Sequence, residues 1–155
     1  VQTTLALADQ VGPIVVTMAY LGLWYALLFG LQSRTKYRLV AEYSARGETF
    51  DRYFGQDERM LAADRAVANT HEQMVPFLTT LWLHAAFLSP DRATVLGGIY
   101  VLLRALYPVL LGRRVSKRQP KRVFAVTGPC YLIIAWLGGQ VLVAAVSAAL
   151  ELKLA

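Results

Sequence analysis

Four long apolar stretches, separated by blocks of charge, organise the chain. The first, Gln10 to Ser33, is uncharged over roughly 24 positions, about the length a helix needs to cross a hydrocarbon core. The second runs from Gln73 to Pro90 and reaches full length if the polar turn Arg65 to Glu72 belongs to the same helix. The third, Ala93 to Gly112, is interrupted only by Arg104, and the fourth, Val123 to Leu150, is long enough to tilt or to extend past the bilayer. Stretches one and four are apolar around their whole circumference, whereas a soluble bundle keeps a polar outer face on each helix. The pattern predicts an all-α protein, a four-transmembrane-helix up-down bundle with spans at roughly 10–33, 65–89, 92–112 and 123–150. It forms a single domain over residues 1–155.

The connections differ in kind. The one long connection is roughly Gln32 to Asp64, and Phe50 to Gly55 within it interleaves aromatic and charged residues, which suits a segment at the headgroup level. From about Asp57, Met60, Leu61 and Val67 keep helical spacing, so an amphipathic helix runs straight into span two. Ser89-Pro90-Asp91 predicts a tight turn with its own helix cap. Gly112 to Pro120 is short and very basic.

Composition supports this picture and charge orients it. The chain is 56% hydrophobic and 17% charged. Its mean hydropathy of +0.43 is high for an ordinary soluble domain. The net charge of +6 would suggest nucleic acid in a soluble protein, but here it follows two loops. One holds Arg34, Lys36, Arg38, Arg46, Arg52 and Arg59; the other holds Arg113, Arg114, Lys117, Arg118, Lys121 and Arg122. The positive-inside rule places both loops in the cytoplasm and both termini outside, in a bacterial inner membrane or a membrane of the endoplasmic reticulum type. Anionic headgroups suffice as partners for these loops, so no nucleic acid is called for. The first span has no basic leader and exceeds a signal sequence in length, which predicts that it is retained. The single cysteine, Cys130, excludes an intrachain disulfide, and His71 and His84 have no companions that would make a metal site.

Polar residues inside the spans are the candidate chemistry, because charge there is costly. Arg65, Asn69, Glu72 and Pro76 stay within about 40° of one line along span two at 100° per residue. Tyr100, Arg104, Tyr107 and Leu111 repeat the spacing on span three. Facing one another, the two stripes would enclose a site for a small zwitterionic or anionic ligand. The plainer alternative pairs Glu72 with Arg104 as interhelical glue, with Asn69 bridging helices. His71 and His84 are packing residues on this reading, and Trp24, Tyr25, Trp82 and Trp136 pack in the bilayer.

At Arg65-Ala-x-x-Asn69-x-x-Glu72-x-x-x-Pro76, with Arg104-x-x-Tyr107 on the next span, the sequence resembles the MAPEG family of membrane-associated proteins in eicosanoid and glutathione metabolism. The resemblance implies a homotrimer that binds glutathione as co-substrate between protomers and acts on small lipophilic electrophiles. Arg65, Asn69 and Glu72 would hold the peptide's carboxylates and amino group, and Arg104 and Tyr107 would add contacts. An arginine near the end of span one, Arg34 or Arg38, belongs to the pattern. The thiolate-stabilising arginine would be one of Arg113, Arg114 and Arg118. A guanidinium beside a thiol favours the thiolate, the form that attacks an epoxide, an activated aromatic or a lipid hydroperoxide. This chain has Val67, Gln73 and Leu111 where catalytic relatives tend to carry polar or tyrosine side chains. The alternative function is therefore a non-catalytic lipid-binding scaffold or partner subunit of the same fold.

Overall fold

A computed structural model describes residues 7–114 and 121–154, and every regular element among them is helical. A 3₁₀ turn at Leu7–Gln10 leads into α1 (Val11–Tyr25), a π-helical segment (Ala26–Ser33) and α2 (Arg34–Ala45). The remaining helices are α3 (Glu58–Phe87), α4 (Pro90–Leu111) and, after a 3₁₀ turn at Lys121–Val123, α5 (Phe124–Leu154).

The first rod is longer than the charge pattern predicted. It runs unbroken from Leu7 to Ala45, through the residues expected to begin a loop. No proline or glycine interrupts it after Gly30, and the charged half has an inward side. Leu39 packs against Met60 and Ala63 of α3, with Tyr43 and Phe50 alongside. In the π segment, Ser33 Oγ donates to the Leu28 carbonyl five residues back, 3.0 Å away. Such segments change the face a helix presents, and this one turns Gln32 toward α3.

Both predicted helix starts are present. Asp57, in extended conformation, accepts the Arg59 N–H and caps α3. Ser89 caps α4 through the Arg92 N–H, and Pro90 sits at the first helical position, where a missing N–H costs nothing. α4 is the central element, packed against α1, α3 and α5. Phe77 stacks on Tyr100 at 3.8 Å, and the Tyr20 ring lies 5.1 Å from Phe77. Trp82 Nε1 donates to Thr17 Oγ1 at 3.0 Å, which ties α3 to α1. The buried His84 lies between the Ser89 carbonyl and Gln140 of α5, both at 3.2 Å. It is a packing residue, as expected.

Three helices are long and apolar enough to cross a membrane: Leu7–Ala45, Pro90–Leu111 and Lys121–Leu152. α3 is not among them, because Arg65, Asn69, His71, Glu72 and Gln73 lower its hydropathy over the stretch that needs to be apolar. Of α5, only Val126, Cys130 and Leu137 are buried among its described side chains, and Leu132, Trp136, Leu142 and Val143 face outward. An apolar surface of that extent needs lipid or a neighbouring protein around it.

At Gly97 side chains from two helices crowd against α4. A Cβ there would lie 2.8 Å from both Leu81 and Val16 side chains. Gly97→Ala is expected to cost about 1–3 kcal/mol through overpacking, read as a lower melting temperature in detergent. Gly98→Ala, with open space around the added methyl, serves as the neutral control.

Candidate functional site

The two polar stripes meet at Arg104 and Asn69. Arg104 is completely buried, and its Nη2 donates to the Asn69 backbone carbonyl at 2.8 Å and to Asn69 Oδ1 at 2.5 Å. The guanidinium lies over the Tyr107 ring, 5.0 Å from its centre. Arg104 Nε, Arg104 Nη1 and the Tyr107 hydroxyl are buried and have no hydrogen-bond partner among the described residues. A guanidinium only donates, so it dictates how the Asn69 amide lies: Oδ1 turns inward and the NH₂ is left free to donate elsewhere.

Glu72 does not pair with Arg104, so the simple glue reading fails at that pair. The helix phase explains why. Asn69 lies about 60° around α3 from Glu72, on the side that faces α4. Glu72 and Arg65 fall outside the contact and are exposed. Pro76 adds a further acceptor at this place. It has no N–H, so the Glu72 carbonyl loses its helical partner four residues on. A carboxylate and a free carbonyl on one residue form a pair of acceptors suited to an ammonium group.

A cleft lies beyond this point, toward the α2 end of the bundle. It encloses about 620 Å³ between the π segment, α2, α3 and the end of α4. Leu27, Leu31, Leu39 and Val109 make its apolar wall, while Arg38, Arg59, Arg113 and Thr35 supply polar groups. Arg38 and Arg113, separated by about half of the sequence, are thus brought to one space. Arg114 is exposed and does not line the cleft, and Arg34 is exposed on α2. Arg118 lies outside the described residues.

Several polar residues at this end escape sequence reasoning. Arg59 is held by Glu42 at 2.5 Å and by Asp57 at 3.0 Å, which fixes its place on the cleft wall. Its hydrogen bond to Asp57 keeps that carboxyl below the usual carboxylate range. Asp64 accepts both terminal nitrogens of Arg52 at 3.0 Å and the Gln32 amide at 2.7 Å. One carboxylate thereby joins the α2–α3 connection, the π segment and α3. These partners stand 12 to 32 residues apart, so no local spacing marks them. Gln73 accepts from the Tyr100 hydroxyl at 3.2 Å, and Leu111 is buried. The two positions where the resemblance leads one to expect tyrosines are packing positions here. Among the described residues no group of acidic, histidine or cysteine side chains is arranged to hold a metal.

A protein of Synechocystis sp. (strain PCC 6803) described as uncharacterized protein sll1147 is 30% identical over 96 residues, 61% of this chain and 63% of the relative. The match therefore spans a little under two thirds of that relative's length. No solved structure gives a significant match. The family model described as MAPEG family matches residues 14–147, which takes in all four long helices and both polar stripes. With its three apolar helices and this match over most of its length, the chain is an integral membrane protein that belongs to the MAPEG family.

Proposed function

We propose that the protein is a membrane-bound glutathione-dependent transferase or peroxidase acting on lipophilic electrophiles, with α3 as the fourth span and the homotrimer as its assembly. The observation that carries the proposal is the cleft in which Arg38, Arg59 and Arg113 meet an apolar wall. Such a space suits an anionic thiol at one side and a lipid-soluble electrophile at the other. Arg65 and Asn69 would receive the carboxylates of glutathione, and Glu72, with its carboxylate and freed carbonyl, would take the ammonium group. Arg104 acts from behind, by fixing the Asn69 amide and placing positive charge beneath it. In the protomer Arg65 and Glu72 are open to solvent, which leaves room for a neighbouring copy to complete the site.

The chemistry follows from thiol acidity. A guanidinium of the cleft favours the glutathione thiolate, and Arg113 is placed on its wall where Arg114 is not. The sulfur then attacks an activated aromatic halide: the C–S bond forms, the carbon–halogen bond breaks and halide leaves with the electron pair. With a lipid hydroperoxide, two glutathiones become the disulfide while the hydroperoxide becomes an alcohol and water. The protein's part is positioning and charge stabilisation, with no covalent enzyme intermediate.

A second reading, a non-catalytic scaffold of the same fold, draws on Gln73 and Leu111, whose packing roles leave no hydroxyl at those two points. Glutathione calorimetry on the purified protein, with conjugation of an activated aromatic halide measured in parallel, separates the two. Saturable binding and thiol-dependent conjugation support the enzyme. A folded, oligomeric protein that binds no glutathione supports the scaffold.

A further inference from the structure

We infer that the Tyr53–Phe54 tip of the α2–α3 connection is an anchor that the protein inserts among the headgroups of its own membrane, held at that level by the Arg52–Asp64 pair. The inference rests on the first helix crossing the bilayer, and not on what the polar site binds. The apolar part of that helix ends at Arg34, the first charge after Asp9, so Gln32 marks the point of exit. Gln32 and Arg52 share the Asp64 carboxylate, with distances of 2.7 and 3.0 Å. The connection therefore folds back from the end of α2 to the level of the exit point. Phe50 strengthens the return by packing on Leu39, Met60 and Ala63.

The next two residues are presented outward. Tyr53 and Phe54 are 87% and 89% exposed, the most exposed aromatic side chains among the described residues. They are also held in a defined turn: Asp51 Oδ1 accepts both of their backbone N–H groups, at 3.0 and 2.8 Å. A tyrosine and a phenylalanine fixed in water would waste apolar area of about 150–250 Å² each, whereas the headgroup region suits such rings well. Charge at the same level is complementary to an anionic leaflet: Arg34, Arg38 and Arg65 are exposed around the exit point. A neighbouring copy is the competing occupant, but it would have to cover two rings that project from the loop and form no groove.

Because Cys130 is the only cysteine and is completely buried, a nitroxide on Phe54→Cys reports the tip alone. In bilayer discs containing anionic lipid, collision with oxygen is expected to exceed collision with a water-soluble nickel chelate. Adding Asp64→Ala should release the strap and move the ratio several-fold toward the chelate. A tip that meets the chelate freely with Asp64 intact overturns the anchor, because the rings are then in water. Low access to both reagents overturns it in favour of a protein neighbour. If Asp64→Ala leaves an oxygen-dominated ratio unchanged, the strap is wrong and the level is set elsewhere. Glutathione binding measured on the same samples keeps any failure of the polar site distinct from these outcomes.

Discussion

Replacing Arg104 with methionine is expected to leave the ligand-free protein about as stable as the native chain, while removing glutathione binding. The expectation follows from an imbalance at this residue. Arg104 is fully buried, yet only its Nη2 is hydrogen-bonded; Nε and Nη1 have no partner among the described residues. Burying a charge is repaid only when nearly all its donors are satisfied, and here the Tyr107 ring adds only partial compensation. Methionine fills similar space without a charge. The Asn69 amide would then lose the inward acceptor role that holds its NH₂ outward, and ligand recognition would go with it. A charge kept only as interhelical glue predicts the reverse, a lower melting temperature. Thermal unfolding of both forms, with and without glutathione, reads both quantities at once. Arg104→Lys is the intermediate case: the charge stays and one nitrogen can still serve both Asn69 oxygens, as Nη2 does, but the planar group over the Tyr107 ring is lost.

The helices were legible in the sequence because their cause is local. Lengths without charge, the cap at Ser89 and the breaker at Pro90 are written in consecutive residues, and α4 begins where they say. The run from Asp57 into the second span was legible for the same reason. The continuation of the first helix through Arg34–Ala45 was not, since its charges look like a loop and only burial of Leu39 against α3 shows its inward side. At the site, helical phase identified the stripe but not its partners. Asn69 and Glu72 fell on one line at the tolerance of sequence analysis, and the 60° between them decides which meets Arg104. Arg59, Asp64 and Arg52 were invisible because what makes them informative is contact across long sequence separations. Arg38 and Arg113 were named as candidates, but only the fold brings them to one cleft.

That cleft also separates Arg113 from Arg114, two of the arginines that the sequence left equivalent. Arg113→Ala is expected to move the rise of the pH–rate profile for thiol conjugation toward the free thiol value of about 8.5. The rate near neutral pH then falls about tenfold for every pH unit that the midpoint of the profile climbs. The sign follows from the charge. A guanidinium stabilises the thiolate and lowers the thiol pKa, so its loss raises that pKa, and the thiolate then forms only at higher pH. Activity should return as the pH is raised, which a folding defect would not allow. Arg114→Ala should leave the profile in place, because Arg114 does not line the cleft. Arg113→Lys should bring the profile part of the way back, since it restores charge without the planar fork. Binding of glutathione, which on this reading depends on Arg65, Asn69 and Glu72, should weaken far less than the rate. A loss of affinity as large as the loss of rate would make Arg113 a carboxylate anchor instead. Thiolate stabilisation would then belong to Arg38 or Arg59, the other two cations on the same wall.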